Sequence, residues 1–119
     1  MITISNQEVK TILSSGKKKV FSDFVIIYKK NRHGYPRFAF IASKKFSKRA
    51  VDRNRAKRLL RELVRKYFGY LSNKGFDIIF IARKPLLNRK LQNLESEFLE
   101  FLKDLNNDSK VNNQTFTSI

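Results

Sequence analysis

The spacing of apolar residues changes several times along the chain, and each change marks an element. Ile4, Val9, Ile12 and Leu13 recur at near-helical intervals, with Ser5 or Asn6 placed to open a helix and Gly16 to close it. "KKKVFSDFVIIYKK" is rich in β-branched and aromatic residues and reads as a strand, long enough to hold one break. "NRHGYP" is turn chemistry. "RFAFIAS" then alternates and predicts a second strand, antiparallel to the first. "KKFSKRAVD" is a basic connector, and Arg53–Phe68 follows with a helical apolar beat. "SNKG" interrupts it, and "FDIIFIAR" is a continuous apolar run, as in a strand buried on both faces.

Pro85 is placed to start a last helix, whose apolar face is Leu87, Leu91, Leu94, Phe98, Phe101, Leu102 and Leu105. Glu95, Glu97 and Glu100 lie among them. From Asn106 onward the chain is polar and aperiodic, so residues 106–119 are expected to be a mobile tail on a single domain of residues 1–105. There is no internal repeat and no linker. The order α-β-β-α-β-α predicts helices packed on one small sheet, an α+β fold.

On a helical projection of Arg53–Phe68, Ala56, Leu59, Leu60, Leu63, Val64 and Tyr67 fall on one broad face. Asn54, Arg58, Arg61 and Arg65 gather opposite. Arg53 and Lys57 flank the apolar stripe on one side, Arg55 and Lys66 on the other. Lys57/Arg61 and Arg61/Arg65 are like charges four apart, each costing about 0.2–0.5 kcal/mol. A face chosen for stability alone would interleave acids, yet only Glu62 appears. Asp52 is suited to the helix start.

Charge sharpens this picture. The 119 residues carry a formal net charge of +16, and 41% are hydrophobic, too apolar for a disordered basic tail. Residues 31–66 hold 13 basic and two acidic groups, net +11, so one third of the chain carries most of the field. Lys44, Lys45, Lys48 and Arg49 extend the basic helix into the connector. An excess this concentrated implies a polyanion, and phosphates are the natural counterpart. Five of the seven cations in Arg53–Lys66 are Arg, which favours planar contact with phosphate or bases. The aromatics, 11 Phe and four Tyr, suit stacking on unpaired bases, although most must form the core.

Other chemistry is poorly supplied. The chain has no cysteine, which excludes disulfides and thiolate metal sites. No apolar run is long enough to span a membrane, and "MITISNQEVK" lacks the features of a signal peptide, so a cytoplasmic location is expected. The one histidine, His33, sits in a turn. Asp23, Asp52 and Asp77 are isolated in sequence, and neither a nucleophile motif nor a phosphate-binding Gly loop is present. No catalytic residue and no metal ligand is assigned.

"FAFIASKKFSKRAVDRNRAKRLLREL", followed by "FDIIFIARKP", closely resembles the protein subunit of bacterial ribonuclease P, whose RNR signature matches "ASKKFSKRAVDRNRAKRLLRE" throughout. The resemblance covers about Gly16 to Leu102. It implies an αβββαβα domain with a left-handed crossover through the basic helix. It further implies a catalytic RNA as partner, precursor tRNA as substrate, removal of the 5′ leader by the RNA with bound Mg2+, and no obligate protein partner. The protein itself would bind no cofactor strongly. The family's RNA-facing positions fall on Lys44, Lys45, Lys48, Arg49, Arg53, Asn54, Arg55, Lys57, Arg58, Arg61 and Arg65. Its leader cleft, between the first helix and the sheet, maps onto Val9, Leu13, Phe21, Phe24, Ile27 and Tyr28. Val9 and Leu13 depart from the Phe common at those positions.

Two other readings compete. One is a structural RNA-binding protein of the ribosome or of RNA assembly. The other is a DNA-binding protein using the basic helix in a major groove, which a near-uniform basic face disfavours.

Overall fold

The computed structural model describes the backbone of residues 1–117 and the side chains of residues 1–106. The tail expected over residues 106–119 lies, from residue 107, outside the residues whose side chains are described.

A short strand β1 (Ile2–Thr3) leads into helix α1 (Asn6–Ser15). Ser5 caps the helix: its Oγ accepts from the Glu8 N–H at 3.3 Å and donates to the Glu8 carboxylate at 3.0 Å. Gly16 ends it by close approach, because its backbone is extended (φ −79°) and its N–H donates to the Ile12 carbonyl at 2.7 Å. A Cβ at residue 16 would stand 2.8 Å from Ile27 Cγ2 and 3.0 Å from the Tyr28 carbonyl oxygen.

The segment read as one long strand is a hairpin, β2 (Lys17–Val20) and β3 (Phe24–Lys30), paired antiparallel. Strand β4 (Arg37–Ile41), helix α2 (Ala50–Lys66) and strand β5 (Phe76–Ala82) follow. The sheet order is β1-β4-β5-β3-β2. β4 runs opposite to β3, as expected, but does not pair with it. β5 lies between them, parallel to β4 and antiparallel to β3. The reason is composition: β5 is apolar on both faces and belongs at the centre. α2 is therefore the crossover between the parallel neighbours β4 and β5.

Pro85 opens a 3₁₀ turn, Lys84–Asn88, and not the last helix. The chain is extended again at Arg89, whose Nε donates to the buried carboxylate of Asp23 at 3.0 Å. Helix α3 (Leu91–Thr117) starts after it, with the Asn93 side chain accepting from the Lys90 N–H at 2.9 Å.

Strand alternation divides the core into two layers. Phe24, Ile26 and Tyr28 of β3, Phe38 of β4, and Ile78 and Phe80 of β5 face α2 and α3. They meet Leu60, Leu63 and Val64 of α2, and Phe98, Phe101 and Leu105 of α3. The opposite face presents Ile27 and Ile79 to Ile4 and Ile12, with Val9, Val25, Ala39, Ile41 and Ile81 half-buried around them.

Candidate nucleic-acid interface

The helix α2 buries Ala56, Leu60, Leu63 and Val64 and leaves Asn54, Arg58, Arg61 and Arg65 exposed. Its two faces are those the sequence predicts. The preceding loop is pinned by Phe46, which is 4% exposed, so that Lys44, Lys45 and Lys48 point outward around a fixed anchor. Ser47 Oγ donates to Asp52 at 2.8 Å and accepts from the Arg49 N–H at 3.2 Å, tying the loop to the first turn.

The expected RNA-facing residues do not all stand free. Arg53 donates to the carbonyls of Ser47 and Lys48, both at 2.9 Å, and so braces the loop. Arg55 donates to the carbonyls of Leu87 (3.4 Å) and Arg89 (3.1 Å), holding the 3₁₀ turn against α2. Arg61 lies over the Phe40 ring at 5.4 Å, and Arg49 stands 3.9 Å from Asp52. Among the described residues, Lys44, Lys45, Lys48, Lys57, Arg58 and Arg65 have neither a hydrogen-bond partner nor a carboxylate within ion-pair distance. Lys66, on the flank, is paired with Glu95 of α3, and this hydrogen bond raises its pKa. Glu95 of α3 thus neutralises Lys66 at one edge of the basic helix and leaves its outer row unmet.

The expected leader-cleft residues separate onto two sides of the sheet. Val9 and Ile27 belong to the α1-side cluster, and Leu13, four residues after Val9 on α1, is 37% exposed. Phe21, Phe24 and Tyr28 are all buried in the other layer, against α2 and α3, and are not available to a ligand lying along α1. Tyr28 makes an edge-on contact with Phe101 at 5.2 Å. The period of two across β3 decides this: residues 24, 26 and 28 share one face, residues 25, 27 and 29 the other. Sequence reasoning missed Val25, Ala39, Ile41 and Ile81, which floor the α1 side. The same alternation signals them once β4 and β5 are known to be neighbours.

One charged cluster positions α1 on this face. Arg37 of β4 donates through Nε and Nη2 to the two carboxylate oxygens of Asp77 on β5, at 2.9 and 2.8 Å. It reaches Glu8 of α1 as well, through Nη2 at 2.6 Å. Asn31 adds a bond to Asp77 at 2.9 Å. Burial pushes the Asp77 carboxyl up, but the Arg37 and Asn31 hydrogen bonds outweigh it and hold it below the usual range. Arg37 lowers Glu8 as well, with help from Ser5. Asp77, isolated in sequence, is therefore a structural anchor. His33 is an exposed turn residue beside Gly34, whose φ is +78°. Among the described residues, no three His, Cys, Asp or Glu side chains come together as metal ligands would.

The family model for ribonuclease P matches residues 4–106. A ribonuclease P protein component from Fusobacterium nucleatum is 40% identical over 101 residues, covering 85% of this chain and 86% of that one. Its counterpart from Syntrophomonas wolfei is 33% identical over 99 residues, covering 83% and 82%. Among solved structures, the ribonuclease P protein from Thermotoga maritima superposes with a TM-score of 0.76 at 29% identity, covering 87% of this chain and 97% of that one. The one from Staphylococcus aureus gives 0.72 at 27% identity, covering 84% and 90%. With a basic crossover helix, a mixed five-stranded sheet and this extent of similarity, the chain belongs to the ribonuclease P protein family.

Proposed function

We propose that the chain, as a protein subunit of ribonuclease P, binds the catalytic RNA through α2 and its preceding loop, and the 5′ leader of precursor tRNA through the α1 side of the sheet. The observation that carries this is the unmatched cationic row. Arg58 and Arg65, with Lys57 beside them, form no ion pair within the described residues, so RNA phosphates are their counter-charges. Binding there neutralises phosphates and releases counterions, which lowers the repulsion between two RNAs brought together. Arg53 and Arg55 serve the same surface by fixing its loops. On the other face, Val9, Leu13, Ile41 and Ile81 offer an aliphatic floor, so leader bases would meet apolar contact with no aromatic stack.

Ribonuclease P is an endoribonuclease of tRNA 5′ processing, and in this proposal the hydrolysis belongs to the RNA. Among the described residues no three His, Cys, Asp or Glu side chains come together as a Mg2+ site would need, and Asp77, Asp23 and Asp52 are each engaged by side chains of the protein. Mg2+ is assigned to the RNA, and no step runs through the protein. No helix among the described residues is long and apolar enough to cross a membrane, and we place the particle in the cytoplasm.

The test is reconstitution. Purified chain is mixed with bacterial ribonuclease P RNA and precursor tRNA at Mg2+ too low for the RNA alone. Restored cleavage at the mature 5′ end is expected. Tight RNA binding without cleavage, with equal affinity for ribosomal RNA, would instead identify a structural RNA-binding protein.

A further inference from the structure

Helix α1 lies over β3 and β5 with little buried contact: among its ten residues only Ile12 is buried. On a helix of about 100° per residue, Val9 and Leu13 fall about 60° and 100° to one side of Ile12, and Glu8, Ser15 and Thr11 about 40°, 60° and 100° to the other. The two flanks meet different chemistry. Val9 shares its cluster with Val25, Ile81 and Ile41, which stand in one register across β3, β5 and β4. The opposite flank meets charge. Glu8 accepts from Arg37 Nη2 at 2.6 Å and Nη1 at 3.3 Å, and Lys29 donates to the Ser15 hydroxyl at 3.1 Å. Beside these bonds lies an open hollow of about 390 Å³, lined by Glu8, Thr11, Lys29, Arg37 and Asp77. Apart from Ile12, every residue lining it is polar. Polar bonds, and not apolar packing, therefore hold that flank down.

Arg37 is a fixed post. Its side chain is only 11% exposed, and Asp77 holds two of its nitrogens. Asn31 braces the pair, donating to Asp77 at 2.9 Å and to the Tyr35 carbonyl at 3.1 Å. Glu8 is the exposed partner, at 48%. With side chains reaching about 5–6 Å from the helix axis, a roll of about 20° shifts the Leu13 side chain by about 2 Å. Apolar contact fails over less than that, since a gap of about 1 Å already forfeits up to about half of the attraction.

Resting on the reading that the leader lies on the α1 side, we propose that Glu8 is a positioning residue for the leader: its bond to the Arg37–Asp77 pair on one flank of α1 fixes the roll of the helix, and with it the distance of Val9 and Leu13 from the aliphatic floor on the other. Charge and positioning act here with opposite signs. Removing Glu8 raises the net charge from +16 to +17, which by electrostatics alone tightens binding of any RNA. Lost positioning weakens binding of the leader alone.

The experiment measures kcat and KM of the full chain reconstituted with bacterial ribonuclease P RNA, on precursor tRNA with a long leader and with a single-nucleotide leader. Glu8→Ala should raise KM for the long leader about three- to tenfold, through lost preorganisation, with kcat unchanged. KM for the short leader should stay level or fall. The thermal midpoint should remain within about 5 °C of the wild type, because an exposed ion pair contributes little to stability. Glu8→Gln, whose amide oxygen still accepts from Arg37, should recover part of the loss although it removes the same charge. Adding Glu8→Ala to Val9→Ala/Leu13→Ala should cause no further loss, since the side chains it positions are gone. A long-leader KM unchanged or lowered in Glu8→Ala, while Val9→Ala/Leu13→Ala raises it, overturns the positioning role and leaves the leader reading standing. Equal losses for long and short leaders, or full additivity with Val9→Ala/Leu13→Ala, overturn it as well, since Glu8 would then serve the fold or act apart from the rim. No leader dependence in Val9→Ala/Leu13→Ala overturns the leader reading itself. If Glu8→Ala melts below the assay temperature, the same comparisons are read from Glu8→Gln.

Discussion

Arg37 and Asp77 are opposed across the parallel strands β4 and β5, with two nitrogens of one guanidinium 2.8 and 2.9 Å from the two oxygens of one carboxylate. Their side chains are only 11% and 9% exposed, so each is the other's main replacement for water. The same guanidinium extends to Glu8, which makes this pair the fastening of α1 to the sheet.

Asp77→Asn leaves the Arg37 charge poorly compensated and should cost about 3 kcal/mol at pH 7, in the usual range for breaking a buried pair. The pH dependence has a definite sign. Because the folded-state pKa of Asp77 is depressed, its contribution is complete above the unfolded value near pH 4 and is lost as pH falls through the folded value below it. Urea midpoints measured from pH 6 to pH 2.5 should therefore fall more steeply for the wild-type chain than for Asp77→Asn. Parallel curves would remove Asp77 as an acid-sensitive anchor.

Two glycines give opposite expectations. Gly16→Ala drives a methyl against Ile27 Cγ2 and the Ile12 carbonyl oxygen, 2.8 and 2.9 Å away, and should destabilise by about 1–3 kcal/mol. At Gly69 an added methyl would meet no atom within 4 Å, and the backbone is in a 3₁₀ turn, so Gly69→Ala should be neutral or stabilise by up to about 1 kcal/mol. Thermal melts of the two variants decide the matter, and equal losses would contradict the close-approach account of Gly16.

The elements that could be read from the sequence are those set by local periodicity. The amphipathic α2, the doubly buried β5 and the Ser5 cap all follow from spacing within a few residues. What sequence did not disclose was non-local. β5 separates β4 from β3 because its burial must be met from both sides, and no residue of β3 or β4 records that. The split of the expected leader residues has the same origin: Phe21, Phe24 and Tyr28 are attractive stacking residues by type, but the fold buries them on the α2 and α3 side of the sheet, away from Val9 and Ile27. Arg53 and Arg55 look like their neighbours in sequence, and only the fold reveals that carbonyls of Ser47, Lys48, Leu87 and Arg89 occupy them.

The two faces of β3 predict different phenotypes. Leu13→Ala together with Val9→Ala trims the aliphatic rim on the α1 side and should weaken binding of leader-bearing precursor tRNA about threefold to tenfold, with little change for mature tRNA. Tyr28→Ala lies on the other side, in contact with Phe101 and Phe76, and should cost about 3–5 kcal/mol of fold stability. Any binding loss it causes should be equal for both RNAs. Fluorescence titrations with leader-bearing and leaderless tRNA distinguish these outcomes. A selective defect in Tyr28→Ala would place the leader on the opposite face of the sheet.

The outer row of α2 offers the cleanest separation of binding from folding. Arg58 and Arg65 have no partner within the described residues, so Arg58→Ala/Arg65→Ala breaks no internal bond. It also relieves the Arg61/Arg65 repulsion, worth about 0.2–0.5 kcal/mol. Stability should hold or rise slightly, while affinity for the catalytic RNA falls at least tenfold. The salt slope should become shallower by about 1.4–1.8, twice the share of one phosphate. Lys66 carries the same charge close by but is engaged by Glu95. Lys66→Ala should therefore lose a little stability, as for any exposed ion pair, and change RNA affinity less than threefold. If Lys66→Ala instead weakens RNA binding as much as the double variant, net charge and not the unmatched row governs the interface.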